Sequence, residues 1–113
     1  METSQHLHPK NLQQQIKQLE EILGSNKGLK LNKHLRPLTA MQEFQAYNLG
    51  LCYFFTENWE GVCQNAFAGI ARGCYSQDGL VALYRQWLEA LIAQGDFSGL
   101  QALGESLWLQ KNS

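Results

Sequence analysis

Two segments of this chain repeat one another 38 residues apart: Asn58-Trp59-Glu60-Gly61-Val62 and Asp96-Phe97-Ser98-Gly99-Leu100. Each carries a short polar cap, an aromatic, a Gly two places on and an aliphatic. Each also follows one long apolar stretch of helical spacing and precedes another, so the unit is a helix, a tight turn and a helix, used twice. The cap residue ends one helix and opens the next, and the aromatic is expected to fold back into the wedge where the two helices cross. Composition agrees: 18 Leu, nine Ala and thirteen Gln stand against four Ile, two Val and three Thr, which favours helices over an all-β or doubly wound fold. With 113 residues the chain can bury one modest core.

The remaining helices are read from periodicity. Residues 9–23 open with Pro9, acceptable in a first turn, and place Leu12, Ile16, Leu19 and Leu23 along a narrow seam, with Gly24 as the carboxyl-terminal cap. Residues 24–38 read as a connector. Thr39-Ala40-Met41-Gln42 fits a capping box, so a helix starts near Ala40. It is apolar almost all round through Phe55 and must be covered on most sides. A second stripe runs from Val62 to Ala71, where Gly69 and Gly73 either permit close approach or mark an early end. Leu80, Leu83, Tyr84, Trp87, Leu88, Leu91 and Ile92 then form the cleanest amphipathic pattern in the chain. Ser98-Gly99-Leu100-Gln101 resembles another capping box, before a last stripe of Leu100, Leu103, Leu107 and Trp108. The expected architecture is all-α, a helical-hairpin repeat of about five helices. Residues 1–38 form an amino-terminal helix plus a basic connector and residues 39–113 the two helix-turn-helix units, together one compact domain.

Charge and cysteine usage narrow the function classes. Residues 1–39 hold six Lys/Arg and three Glu, net +3, whereas residues 40–113 hold three basic and seven acidic residues, net −4. Lys27, Lys30, Lys33 and Arg36 form the one basic run; it reads as a solvated connector or an acidic-partner contact, and nucleic acid is an improbable ligand for a chain of this overall charge. Cys52, Cys63 and Cys74 recur every eleven residues, which puts Cys63 and Cys74 on one face if they share a helix. The three His, at positions 6, 8 and 34, lie outside that segment, so no metal site and no cofactor is expected, and the thiols read as small buried hydrophobes. No apolar run reaches the roughly 18 residues of a membrane span, and the amino terminus lacks the blocks of a signal peptide, which points to a cytoplasmic protein. Catalytic signatures are missing: no Gly-x-Ser-x-Gly, no phosphate-binding Gly-rich loop, no His-Glu-x-x-His. Asp78, Asp96 and Glu105 read as helix-start acids, and no enzyme activity is expected.

Leu49-Gly50-x-x-Tyr53 followed by the Asn58-Trp59 turn, and Trp87-x-x-x-Leu91 followed by Gly95-Asp96-Phe97, resemble the tetratricopeptide repeat class over residues 41–110. Leu88 stands where that class carries a small residue. The resemblance implies an inner groove lined by Phe44, Tyr47, Leu51, Phe54 and Phe55 from the first unit, with Arg85 and Glu89 from the second. The competing expectation is that these aromatics pack under the helix of residues 9–23 and that Arg85 and Glu89 form an exposed i, i+4 pair.

Repeats of this kind normally need about three units to bury their apolar faces, and here there are two. The deficit can be met by the amino-terminal helix as a cap, by self-association, or by a bound helix. The expected function is therefore a protein–protein interaction module: an adaptor or small chaperone that shields a helical or extended apolar segment of a partner protein. The alternative is the end piece of a longer helical repeat protein, or a self-associating scaffold subunit that forms homo-oligomers.

Overall fold

A computed structural model describes residues 9–24 and 36–112. Five helices follow one another: α1 (Pro9–Leu23), α2 (Ala40–Phe55), α3 (Trp59–Arg72), α4 (Gln77–Gln94) and α5 (Phe97–Asn112). The described residues contain no strand, and the fold is an all-α arrangement of helical hairpins, as the patterning implied. The helices α2, α3 and α4 pack against one another; among the described helices, α1 packs against α2 alone and α5 against α4 alone. Of the three ways to meet the burial deficit, the first is realised: α1 lies on α2, with Leu12, Ile16 and Leu23 buried in the same cluster as Leu49, Cys52 and Tyr53.

Local chemistry sets the boundaries. The Thr39 hydroxyl accepts from the Gln42 N–H at 3.1 Å and the Gln42 side chain accepts from the Thr39 N–H at 3.0 Å, completing the capping box. The two repeated turns are equivalent bond for bond. Asn58 Oδ1 accepts from the Gly61 N–H at 3.0 Å, and Asp96 Oδ1 from the Gly99 N–H at 2.9 Å. The Asn58 N–H donates to the Tyr53 carbonyl at 2.8 Å, and the Asp96 N–H to the Leu91 carbonyl at 3.0 Å. Both helices thus end in the Schellman pattern, with Glu57 (φ 59°) and Gly95 (φ 70°) at its left-handed position. Because Asp96 is the cap of α5, Ser98 lies inside the first turn and forms no capping box of its own.

Four other expectations are corrected. Trp59 does fold back, its ring 5.0 Å from Phe54 in an edge-to-face contact, but its counterpart Phe97 is 80% exposed. The burial stripe of α4 is rotated. Leu83, Gln86, Ala90 and Leu91 are buried while Leu88 and Ile92 are exposed, because α4 is clasped between α2 and α3 and turns its centre toward both. Cys74 lies beyond the end of α3, so it shares no helix with Cys63. Glu105 sits two turns into α5 rather than at its start.

Two buried amides fix the seams of α2. Asn65 of α3 donates through Nδ2 to the Ala46 carbonyl at 2.8 Å, and Gln86 of α4 donates through Nε2 to the next carbonyl, Tyr47, at 3.0 Å. The Gln86 amide fits only because Gly50 has no side chain: a methyl there would strike Gln86 Oε1 and stand 2.8 Å from Cδ. A third tie joins the hairpins at their ends, where the Glu43 carboxylate of α2 accepts from the Ser76 N–H (2.9 Å) and hydroxyl (2.7 Å) at the start of α4. A negative group at a helix amino terminus is favourable, and here the chain supplies its own.

Candidate functional site

The seam between α1 and α2 opens on both sides: a hollow of about 620 Å³ with the charged side chains Lys17, Glu20 and Glu21 in its lining lies on the Tyr53 side, and an uncharged one lies on the other. The narrow heptad-like stripe of α1 turns Leu12 and Ile16 onto α2 but leaves Ile22, 60% exposed, on a different face. On α2, the nearly all-round apolar surface gives α1 more than it covers, so Phe55 is 56% exposed and Leu51 half-buried. The result is an open groove of about 460 Å³ lined by Leu12, Gln15, Gln18, Leu19, Ile22, Asn48, Leu51, Cys52 and Phe55. Its polar rim consists of neutral amides. No carboxylate or ammonium lines it.

The residues expected to form one aromatic groove are divided among three places. Leu51 and Phe55 line the α1–α2 groove. Phe44 and Tyr47 line a separate hollow of about 220 Å³, with Ala82, Asp78 and Gly79 of α4 on the far wall. Phe54 lines neither and packs edge-on against Trp59. Arg85 and Glu89 are exposed on α4 and border neither space. The division follows from α1, which stands beside α2 and claims the Leu51–Phe55 end for a second seam. Leu12, Leu19, Ile22 and the amides were not assigned to a site from the sequence. Ile22 was the available signal, an apolar residue off the Leu12–Leu23 stripe.

On the opposite side of the same seam, where Tyr53 and Glu20 line the larger hollow, the Tyr53 hydroxyl, on a side chain only 2% exposed, donates to Glu20 Oε2 at 2.6 Å. Burial, and then this bond and the Glu20 charge, push the Tyr53 hydroxyl well above the usual phenol range. On the groove side Cys52 Sγ lies 3.7 Å from Gln15 Oε1. The three thiols are free; burial raises all of them, Cys74 to about 11 with help from the Glu43 carboxylate, so they are weak nucleophiles at neutral pH.

Of the basic run, Lys27, Lys30 and Lys33 lie outside the described residues. Arg36 is exposed, and its carbonyl accepts from Arg72 Nε and Nη2 at 3.2 and 3.1 Å, which, with the Leu38 N–H donating to the Gly73 carbonyl, ties the end of the connector to the α3–α4 turn. Among the described residues no three His, Cys, Asp or Glu side chains gather as metal ligands, and no helix is long and apolar enough to cross a membrane. Comparison with family models, curated proteins and solved structures returns no match.

Proposed function

We propose that this protein is an interaction module of tetratricopeptide-repeat-like character, an adaptor or small chaperone that shields an apolar helical segment of a partner protein. The observation that carries the reading is the α1–α2 groove, in which Ile22 and Phe55 stand exposed on opposite walls around Leu19 and Leu51. A folded monomer gains nothing by leaving such side chains in water, and a contiguous apolar trough rimmed by amides suits the apolar face of a helix. The uncharged lining favours apolar recognition over acidic or basic motifs.

The test is fluorescence anisotropy with labelled amphipathic helical peptides, on the native protein and on the double substitution Leu51→Asp, Phe55→Asp. Both positions are partly or largely exposed, so the variant keeps its fold, checked by circular dichroism. Binding should weaken at least tenfold. Peptides that bind the variant as tightly as the native protein, or that bind neither, refute the proposal.

A second reading has its own observation. Leu88 (42% exposed), Ile92 (59%) and Phe97 (80%) leave the outer side of the second hairpin apolar, which suits a self-associating scaffold subunit. Mass measured across a concentration series separates the two: a constant monomer removes the scaffold reading.

A further inference from the structure

We infer that α1 is a displaceable occupant of the docking face of α2, and that the partner segment is an amphipathic helix built like α1, which exchanges with it. This rests on the interaction-module reading and specifies its site and ligand. The face of α2 formed by Leu49, Cys52 and Tyr53 already holds a helix, so its complement can be read from that helix. The complement is apolar side chains stepping four, three and four residues, as Leu12, Ile16, Leu19 and Leu23 do, with a carboxylate at the place of Glu20 to accept the Tyr53 hydroxyl. Toward the groove the ligand carries amides, as α1 does with Gln15 and Gln18.

Three observations make α1 the element that leaves. It is the amino-terminal helix of the described fold and, among the described helices, packs against α2 alone, so its departure breaks no contact among α2, α3, α4 and α5. Neither of the buried amide bonds to α2 involves it, since Asn65 and Gln86 come from α3 and α4. At 15 residues it is at the length where a helix is marginal in water without a partner surface, so detachment and unwinding accompany one another. The Tyr53 hydroxyl and the Glu20 carboxylate, released together, both return to water, and no buried polar group is orphaned. The open groove completes the case. The seam leaves a hollow on each side, and the one on the Leu51–Phe55 side is uncharged, so a helix with bulkier side chains at the places of Leu12 and Leu19 makes contacts there that α1 does not.

The experiment uses the whole protein and a labelled synthetic peptide of residues 9–24. In the native protein the tethered α1 competes, and the apparent affinity is reduced by the fraction of molecules whose face is free. Leu12→Ala with Ile16→Ala weakens the tethered helix without touching α2, and should tighten peptide binding at least tenfold; a peptide with Asp at the places of Leu12, Ile16, Leu19 and Leu23 should not bind. Equal affinity for native and weakened protein overturns the inference, because the peptide is then bound elsewhere. Native-state hydrogen exchange needs no variant: amides of residues 13–23 should exchange at least a hundredfold faster than those of α2 and α4. If they exchange only with global unfolding, α1 is not displaceable and the inference fails. Helical peptides that bind in a Leu51- and Phe55-dependent way while α1 stays protected would defeat the displacement alone and leave the interaction module standing.

Discussion

Gly50→Ala puts the central seam to a quantitative test. In an ordinary helix interior the change would stabilise by about 1 kcal/mol, from backbone entropy and helix propensity. Here the new methyl lands on the Gln86 amide, which is 4% exposed and enclosed by α2 and α4. Either the amide is expelled or the helices part. Overpacking of this kind costs about 2 kcal/mol. Loss of the 3.0 Å bond from Gln86 Nε2 to the Tyr47 carbonyl costs about 1 kcal/mol more. The net expectation is a loss of about 2 kcal/mol, which lowers Tm by about 8 °C for a domain of this size. The assay is thermal and urea unfolding of four proteins: native, Gly50→Ala, Gln86→Ala, and the double variant. With Gln86 truncated, the methyl enters vacated space and Gly50→Ala should become neutral or stabilising, giving a coupling energy of about 2–3 kcal/mol. If Gly50→Ala raises Tm in the native background, or costs the same with and without the Gln86 amide, the two residues do not meet and the account of this seam is wrong.

Other expectations concern the turns and the thiols. Glu57 holds the left-handed position that Gly95 holds 38 residues later, so Glu57→Gly should stabilise by about 0.5–1 kcal/mol and Gly95→Ala should destabilise by a similar amount, read from urea midpoints. Tyr53 and Cys74 both titrate higher in the folded state than in the unfolded chain, so the stability they contribute is intact below the unfolded values and lost as pH rises through the folded ones. The urea midpoint should be level from pH 7 to about 9 and then fall; Cys74→Ala should flatten the fall between about 9 and 11, and an unchanged profile in that variant would count against the burial of this thiol.

Where the physics is local, the sequence was readable. The Thr39–Gln42 box, the Asn58 and Asp96 caps and the stripe of α1 each depend on residues three or four apart, and each formed as patterned. Positions that depend on a neighbour's neighbour were not readable. Apolar periodicity placed Leu88 and Ile92 on the inner face of α4, but the direction in which a helix turns is fixed by what flanks it. With α2 and α3 on adjacent sides, the burial centre moved to Gln86 and Ala90. Trp59 and Phe97 are equivalent in sequence and differ in exposure: Trp59 meets the ring of Phe54, whereas 38 residues on the place of Phe54 is taken by Ile92, itself 59% exposed. The tie from Glu43 to Ser76 spans 33 residues and has no local signature. At the candidate site, Leu51 and Phe55 line one groove and Phe44 and Tyr47 another hollow, a separation that depends on where α1 lies. That placement is decided by tertiary packing.

The pairing of Gly50 with Gln86 gives the hairpin array a direction. Shifted by one repeat, Gly50 becomes Leu88 and Gln86 becomes Asn48. A chain lengthened by copying the second hairpin onto its own end would bring a leucine against the incoming glutamine, and the joint could not close. Copying the first hairpin ahead of itself would set an asparagine against a glycine, a shorter amide entering the same notch. Extension by design should therefore succeed from one side of the stack and stall on the other.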